Sequence, residues 1–170
     1  MSRFPSQLRQ RIASPLLAMC AVMAHTASDA QVGVANIQFA GLPVMLVYPT
    51  AEPVRHIVQG SFEIDVAMDA KPTPGLHRLI VMSHGTGGSA LSDHTMAATL
   101  ARAGFVVAQP QHAGDNYADM SKAGPDSWET RPREISAVID ALAVNPSWSP
   151  LLQLDKVGVH GMSAGGGTAL

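Results

Sequence analysis

Cysteine is nearly absent from this chain, and charged residues are few. Its 170 residues include one cysteine, Cys20, which lies in an N-terminal segment with the character of a targeting signal. A disulfide framework, a thiolate metal site and a cysteine nucleophile are therefore excluded from the rest of the chain. Charged residues make up 14% of the sequence, and the formal net charge is −2. This weak, slightly acidic balance argues against DNA, RNA or an anionic membrane as the main partner.

The chain also lacks internal repeats, low-complexity tracts and blocks of like charge. Apolar residues amount to 46% of the sequence, which is enough to fill a hydrophobic core. The length beyond the N-terminal segment is that of one ordinary domain. We therefore expect a single globular unit over residues 31–170.

The first thirty residues have the pattern of a secretory signal peptide. Three arginines precede an apolar run, residues 12–24, which is too short to span a bilayer as a helix. Small residues before and at Ala30 suit cleavage after that position. We expect residues 1–30 to be a signal peptide and the protein to be exported, to the periplasm or the medium. An uncleaved anchor and a lipid on Cys20 are the alternatives.

The spacing of apolar residues predicts an α/β fold. Short strands, expected to be antiparallel, are predicted near the N-terminus at residues 32–39, 42–48 and 62–68. Continuous apolar strands then alternate with helices, with strands at 79–82, 105–108 and 156–160 and helices at 93–102 and 131–145. This alternation implies right-handed crossovers and a parallel sheet covered on both faces. We therefore predict a mostly parallel sheet with antiparallel N-terminal strands.

Two glycine-rich turns follow strands of the predicted parallel sheet, at the edge where such sheets bind ligands. One covers residues 83–88 and the other residues 161–166. The second contains Gly161-Met162-Ser163-Ala164-Gly165, a G-x-S-x-G pattern. The pattern is short enough to arise by chance, but its place directly after a strand is what a nucleophile elbow requires. The sharp turn strains the serine backbone and crowds the positions two residues away, which explains both glycines.

The two turns predict one oxyanion-binding site from opposite sides. An elbow at Ser163 turns the hydroxyl out of the sheet and aims the N–H of Ala164, at a helix start, toward a developing oxyanion. The second donor is expected from the earlier loop, where the main-chain N–H of Thr86 is the best candidate. We predict Ser163 as the nucleophile, with Thr86 and Ala164 forming the oxyanion hole.

Other interpretations of these turns fit less well. Ser163 as a plain helix N-cap explains the serine but not the partner loop. Gly85-x-Gly87-x-x-Ala90 matches a dinucleotide fingerprint, but the next strand runs into Gln109-Pro110-Gln111 and lacks the acidic residue that binds ribose. No Gly-Lys-Ser/Thr follows, so a Walker A phosphate loop is excluded.

The remaining polar candidates are expected to be structural. The histidines at 84, 94, 112 and 160 show no metal-ligand spacing, so no metal is expected. His160 is not expected to be the base for Ser163, because an elbow turns the serine away from its own strand. Asp115, Asn116 and Asp119 are interpreted as turn residues in the loop after the second parallel strand.

Taken together, these residues resemble the α/β-hydrolase superfamily. More narrowly, the chain resembles exported bacterial serine hydrolases called predicted dienelactone hydrolases, which are related to platelet-activating-factor acetylhydrolase. The matching segments are residues 79–89, 104–108, 112–116, Trp128, Arg131-Pro132 and 157–166. The resemblance is good over residues 76–170 and loose over 32–75. It implies ester hydrolysis through a Ser–His–Asp triad without a cofactor.

The chain departs from the family pattern in three ways. Met162 stands where the family usually has histidine, a change expected to affect packing more than chemistry. True dienelactone hydrolases have cysteine at the elbow, so Ser163 favours ordinary carboxylic esters. In this superfamily the triad runs Ser, then Asp or Glu, then His, yet only seven residues follow Ser163. We therefore expect an α/β-hydrolase domain truncated after the elbow, without the triad Asp and His.

The sequence thus predicts a serine hydrolase that acts on carboxylic esters through an acyl-enzyme at Ser163. The alternative is a truncated, inactive relative that at most binds a ligand. The expected partner is a small-molecule ester, with no nucleic acid and no membrane after signal cleavage. We expect little turnover from this chain alone, because a serine without its base is a poor nucleophile.

Overall fold

The computed structural model of the protein describes residues 30–170. The predicted signal peptide therefore lies outside the described residues, apart from Ala30. The described part contains seven strands and three α-helices, joined by short turns and loops. The strands are β1 (Gln31–Phe39), β2 (Leu42–Thr50), β3 (Arg55–Gln59), β4 (Phe62–Met68), β5 (His77–Ser83), β6 (Val106–Pro110) and β7 (Leu152–Gly161). The helices are α1 (His94–Arg102), α2 (Pro125–Val144) and α3 (Ala164–Thr168), with a 3-10 turn at Ser149–Leu151.

All seven strands form one sheet in the order β3-β4-β1-β2-β6-β5-β7. The strands β6, β5 and β7 are mutually parallel, as the alternating pattern predicted. The hairpins β1–β2 and β3–β4 are antiparallel, and β2 pairs antiparallel with β6. The α/β class is confirmed, and the carboxyl ends of β5, β6 and β7 meet at one edge of the sheet.

The sheet is mixed, and this corrects the prediction of a mostly parallel one. Parallel and antiparallel pairings are equally numerous, because β4 joins the sheet parallel to β1 while β3 adds a further antiparallel pair. The strand β3 was not predicted. Its residues are exposed or half-buried at the sheet edge, so it lacks the alternating apolar pattern that marks a strand.

Each face of the sheet buries its own apolar cluster. On one face α2 contributes Ile135, Val138 and Leu142 to a cluster that includes Tyr48 and Trp148. On the other face α1 contributes the buried Ala97 and Ala101. Helices therefore cover both faces, as continuous apolar strands require. None of the helices in residues 30–170 is long and apolar enough to cross a bilayer.

The helix α2 begins six residues earlier than predicted, at Pro125. The prediction placed Pro132 in the first turn, where proline is tolerated because its missing N–H has no partner there. Pro132 instead lies inside the helix, and Pro125 occupies the first turn. The longer helix matters for the candidate site, because its first half carries Arg131 and Glu134 toward the carboxyl edge of the sheet.

Candidate functional site

The turn between β7 and α3 holds Ser163 in a strained backbone conformation. Its φ of 56° and ψ of −122° lie outside the regions that residues with side chains favour. Such a conformation costs about 1–3 kcal/mol and persists only where the surroundings enforce it. The Ser163 side chain is exposed and makes no capping hydrogen bond to α3. The interpretation of Ser163 as a plain helix cap is therefore wrong.

Two glycines make this turn possible. A Cβ added to Gly161 would overlap the carbonyl group of Gly165, and a Cβ on Gly165 would overlap the carbonyl oxygen of Ser83. Backbone atoms occupy both directions, so no side-chain rotation could relieve the contacts. The strand end, the serine and the first turn of α3 are thus packed backbone to backbone against the end of β5.

The loop after β5 lies directly beside Ser163. The N–H of Met162 donates to the carbonyl oxygen of Ser83 at 3.4 Å. A Cβ built on Gly85 would lie 3.5 Å from the Cβ of Ser163. Within residues 30–170, the N–H groups of Thr86 and Ala164 donate no hydrogen bond. Both are therefore free to donate to a bound acceptor.

The Arg131 side chain anchors this loop through hydrogen bonds to its backbone. It is fully buried and donates to the carbonyl oxygen of His84 at 2.7 Å and to that of Gly85 at 3.4 Å. It also donates to the carbonyl oxygen of Asp115 at 3.2 Å. One planar guanidinium thus joins two loops of the carboxyl edge through their backbones.

Asp115 completes this arrangement: it lies in a turn as predicted, but its side chain binds another loop and does not cap that turn. The carboxylate is fully buried, 2.8 Å from the guanidinium of Arg131, and accepts a hydrogen bond from the N–H of Gly87 at 3.0 Å. Burial by itself would raise the pKa of Asp115. The hydrogen bonds to its carboxylate and the Arg131 charge outweigh burial, so the pKa lies below its ordinary value. Asp115 is therefore a charged anchor for the loop that contains Thr86.

The neighbouring residues Asn116 and Asp119 do act as turn residues. The Asn116 side chain accepts hydrogen bonds from the N–H groups of Ala118 and Asp119. Asp119 in turn accepts one from Ser121. The loop chemistry expected from the sequence is confirmed at these two positions.

His84 is buried in a fixed, neutral form. Its Nε2 accepts a hydrogen bond from the N–H of His112 at 3.2 Å, so the ring proton resides on Nδ1 and is donated to the carbonyl oxygen of Gly85 at 2.7 Å. Burial lowers the pKa of His84 to about 4, and the nearby Arg131 charge acts in the same direction. The ring is thus a neutral bridge between the loops after β5 and β6.

His112 forms a hydrogen-bonded series with Ser83 and Glu134. Its Nε2 lies 2.7 Å from the Ser83 hydroxyl, and its Nδ1 lies 2.6 Å from the Glu134 carboxylate. Ser83 and His112 are fully buried, while Glu134 is 16% exposed. The order of groups is that of a serine–histidine–acid triad, but the hydroxyl is inaccessible. These contacts fix the end of β5 and the start of the loop that follows it.

No histidine or carboxylate of residues 30–170 hydrogen-bonds to Ser163. His112 is committed to Ser83, and His160 lies on β7 before the turn. The same part of the chain holds no cluster of three or more His, Cys, Asp or Glu residues arranged for a metal ion. The described residues therefore supply a serine and two N–H donors, but no proton acceptor for that serine.

Sequence reasoning missed the supporting residues of this site. Arg131 and Glu134 are three positions apart, so they share one face of α2 with the apolar residues that follow. Charged side chains on the apolar face of a helix are the sequence feature that could have indicated these buried supporting residues. This feature was overlooked because the helix was predicted to begin at Arg131, where charged residues usually face solvent.

The comparisons with known proteins agree with this architecture. The family model described as platelet-activating factor acetylhydrolase, isoform II, matches residues 23–169. No protein with a curated description is similar enough to count as a relative.

Two solved structures show the same fold. Ferulic acid esterase from Streptomyces cinnamoneus is 21% identical, with a TM-score of 0.70 over 86% of this chain and 56% of that one. Dienelactone hydrolase from Anabaena variabilis is 20% identical, with a TM-score of 0.54 over 83% of this chain and 56% of that one. The chain spans just over half the length of each. Because the family model covers most of its residues, the chain belongs to the platelet-activating factor acetylhydrolase, isoform II, family and has the α/β-hydrolase fold.

Proposed function

We propose that Ser163 is the nucleophile of a carboxylic-ester hydrolase and that the N–H groups of Thr86 and Ala164 form its oxyanion hole. One observation carries the proposal: an exposed serine with a φ of 56° stands between two glycines that the backbone requires. Strain of this kind gathers at functional sites. Membership in an esterase family supports the same reaction class.

The reaction proceeds in two steps. The Ser163 hydroxyl oxygen attacks the ester carbonyl carbon, and the carbonyl oxygen becomes an oxyanion that accepts hydrogen bonds from Thr86 and Ala164. The C–O bond to the alcohol then breaks, and the alcohol leaves with the proton that the serine lost. Water attacks the acyl-serine in the second step, which releases the acid and restores Ser163.

Both steps need a proton acceptor for the attacking oxygen. The described residues hydrogen-bond none to Ser163, so we propose that the histidine and acid of the triad come from outside residues 30–170. We also propose a small-molecule ester as substrate and an exported location. The solved relatives are named as a ferulic acid esterase and a dienelactone hydrolase. Ser163, in place of a cysteine, favours the ordinary ester.

The direct test of the reaction is acyl transfer from p-nitrophenyl acetate to the whole chain. We expect an acetyl group on Ser163 by peptide mass spectrometry and slow nitrophenol release. Without a base, the release is expected to exceed the rate in water by about 10³–10⁴-fold at most. Ser163→Ala should remove both signals. Acetylation spread over other residues, or release unchanged in Ser163→Ala, would contradict the proposal.

A second candidate is a protein that binds a carbonyl ligand at this site without turning it over. The lack of a hydrogen-bond partner for the Ser163 hydroxyl in residues 30–170 favours it. It predicts that an ester or acid ligand protects the chain from thermal unfolding while no acetyl-serine forms on any timescale. The acetylation experiment therefore separates the two candidates.

A further inference from the structure

A cavity of about 680 Å³ opens beside the loop that carries Thr86. Gly87 and Gly88 of that loop form part of its wall. The turn ends of the β1–β2 and β3–β4 hairpins also line the cavity, together with Gln111 and Tyr117. The volume lies in the range of small-molecule sites in proteins. Neither Ser163 nor α3 contributes to the lining, so the cavity is separate from the nucleophile.

The cavity nevertheless begins one residue from the proposed oxyanion hole. Successive Cα atoms are about 3.8 Å apart, so Gly87 places the cavity wall within one residue step of Thr86. Gly85, at the other end of the same turn, approaches Ser163. The loop that carries Thr86 thus contacts Ser163 through Gly85 and the cavity through Gly87.

No charged side chain lines this cavity. Its lining contains no Asp, Glu, Lys, Arg or His, although these residue types occur elsewhere around the same edge of the sheet. A phosphate, carboxylate or ammonium group would gain no countercharge from this lining. The lining therefore disfavours any ionic ligand, including a zwitterionic lipid headgroup.

The polar side chains that line the cavity are neutral amides and hydroxyl groups. Within residues 30–170, four lining amides make no side-chain hydrogen bond: Asn36, Gln38, Gln59 and Gln111. Each amide both donates and accepts, which matches the two-way hydrogen bonding of a hydroxyl group. Apolar residues such as Met45, Phe62 and Leu91 also line the cavity and suit the C–H faces of a ring. A neutral ring that carries several hydroxyl groups can hydrogen-bond to the amides and pack its C–H faces on the apolar residues.

We propose that this cavity binds a neutral sugar, as the part of an ester that lies beyond the scissile carbonyl. The sugar's role as substrate rests on the proposed function, whereas its binding does not. The ester linkage would extend from the cavity past Gly87 to Thr86 and Ser163. The substrate class is therefore an ester of a carbohydrate.

Binding can be measured on the whole chain without any hydrolysis. Methyl β-D-glucopyranoside and methyl β-D-xylopyranoside, which contain no ester, are titrated into 15N-labelled protein. Side-chain amide signals of Asn36, Gln59 and Gln111 report on the cavity, and that of Gln153 on β7 serves as an internal control. We expect saturable shifts at the three cavity amides, with a Kd of about 1 mM for so small a ligand. Phosphocholine at the same concentrations should leave all four signals unchanged.

Substitution separates hydrogen bonding from a general change in the fold. Gln59→Ala, at an exposed turn, and Gln111→Ala should each raise the Kd about three- to tenfold, because each removes one hydrogen-bonding partner. Gln153→Ala removes a matched amide far from the cavity and should leave the Kd unchanged. Absence of saturable shifts, equal shifts with phosphocholine, or equal weakening by Gln153→Ala would each overturn the proposal.

The result of the glycoside titration does not depend on whether Ser163 reacts with an ester. Glycoside binding without acetylation of Ser163 would refute the esterase and leave the sugar site standing. Acetylation of Ser163 without glycoside binding would refute the sugar site and leave the esterase standing.

Discussion

At the scale of single residues, the candidate site is fixed by backbone geometry more than by side-chain contacts. Ser163 adopts a positive φ because Gly161 and Gly165 allow three backbone segments to meet. The sequence revealed this feature because the elbow's spacing follows from sterics alone. The neutral tautomer of His84 could not be predicted, since it depends on a hydrogen bond from His112, which is distant in sequence.

Gly165→Ala tests the backbone packing at the elbow. The added methyl group has no space beside the Ser83 carbonyl, so we expect the free energy of unfolding to fall by about 3 kcal/mol or more. Gly167→Ala is the matched control, because a Cβ there meets nothing within 4 Å and the position is helical. That control should change stability by about 1 kcal/mol at most, in the favourable direction. Similar losses in the two variants, measured by urea unfolding, would refute the packing described for Gly165.

His84 makes stability depend on pH. Its pKa is about 4 in the folded protein and 6.5 in its ordinary state. Between these values the unfolded chain takes up a proton that the folded chain does not, so stability falls as the pH falls from 6.5 to 4. The groups that face the ring are His112, Arg131 and Asp115, and the positive charge of Arg131 disfavours its protonation further.

The measurement compares urea unfolding at pH 7 and pH 4.5 in the wild type and in His84→Asn. We expect the wild type to lose about 2 kcal/mol more than the variant over this interval, because only the wild type carries the buried imidazole. Equal losses in both proteins would show that His84 is protonated in the folded state.

At the scale of elements, α2 supports the oxyanion loop. Arg131 and Glu134 extend from one face of the helix, the first to the backbone of residues 84, 85 and 115 and the second to His112. The sequence predicted most of the elements here, because β5, β6 and β7 are continuous apolar runs and α1 has a clear stop. It did not predict β3 or the first turns of α2, where exposed polar residues conceal the structure and tertiary contacts decide it.

Arg131→Ala tests the support from α2. The substitution leaves the Asp115 carboxylate buried without its cation, so we expect a loss of about 3–5 kcal/mol in the free energy of unfolding. Arg133→Ala removes an exposed arginine from the same helix and should cost about 0.5 kcal/mol or less. Chemical denaturation of the two variants gives the comparison. A loss at Arg131 as small as that at Arg133 would mean that the ion pair does not hold the loop.

At the scale of the whole molecule, one sheet brings all proposed functional groups to a single edge. Parallel strands β5 and β7 end side by side, so the loop after the first meets the elbow after the second. The hairpins β1–β2 and β3–β4 and that loop together line the neutral cavity. Within residues 30–170, β7 pairs only with β5, and Val159 on it is 40% exposed. The solved relatives extend well beyond the length matched here.

The most direct measurement is to map where a fluorophosphonate reacts with the whole chain. The serine oxygen loses its proton and displaces fluoride from the phosphorus of the reagent. Negative charge builds on the phosphoryl oxygen during this step, and the Thr86 and Ala164 N–H groups would stabilise it. Other exposed serines in the same chain provide internal controls: Ser61, Ser121, Ser136 and Ser147. We expect the adduct on Ser163 well before it appears on any of these. Labelling at equal rates on all exposed serines, or none on Ser163, would contradict the assignment of Ser163 as the nucleophile.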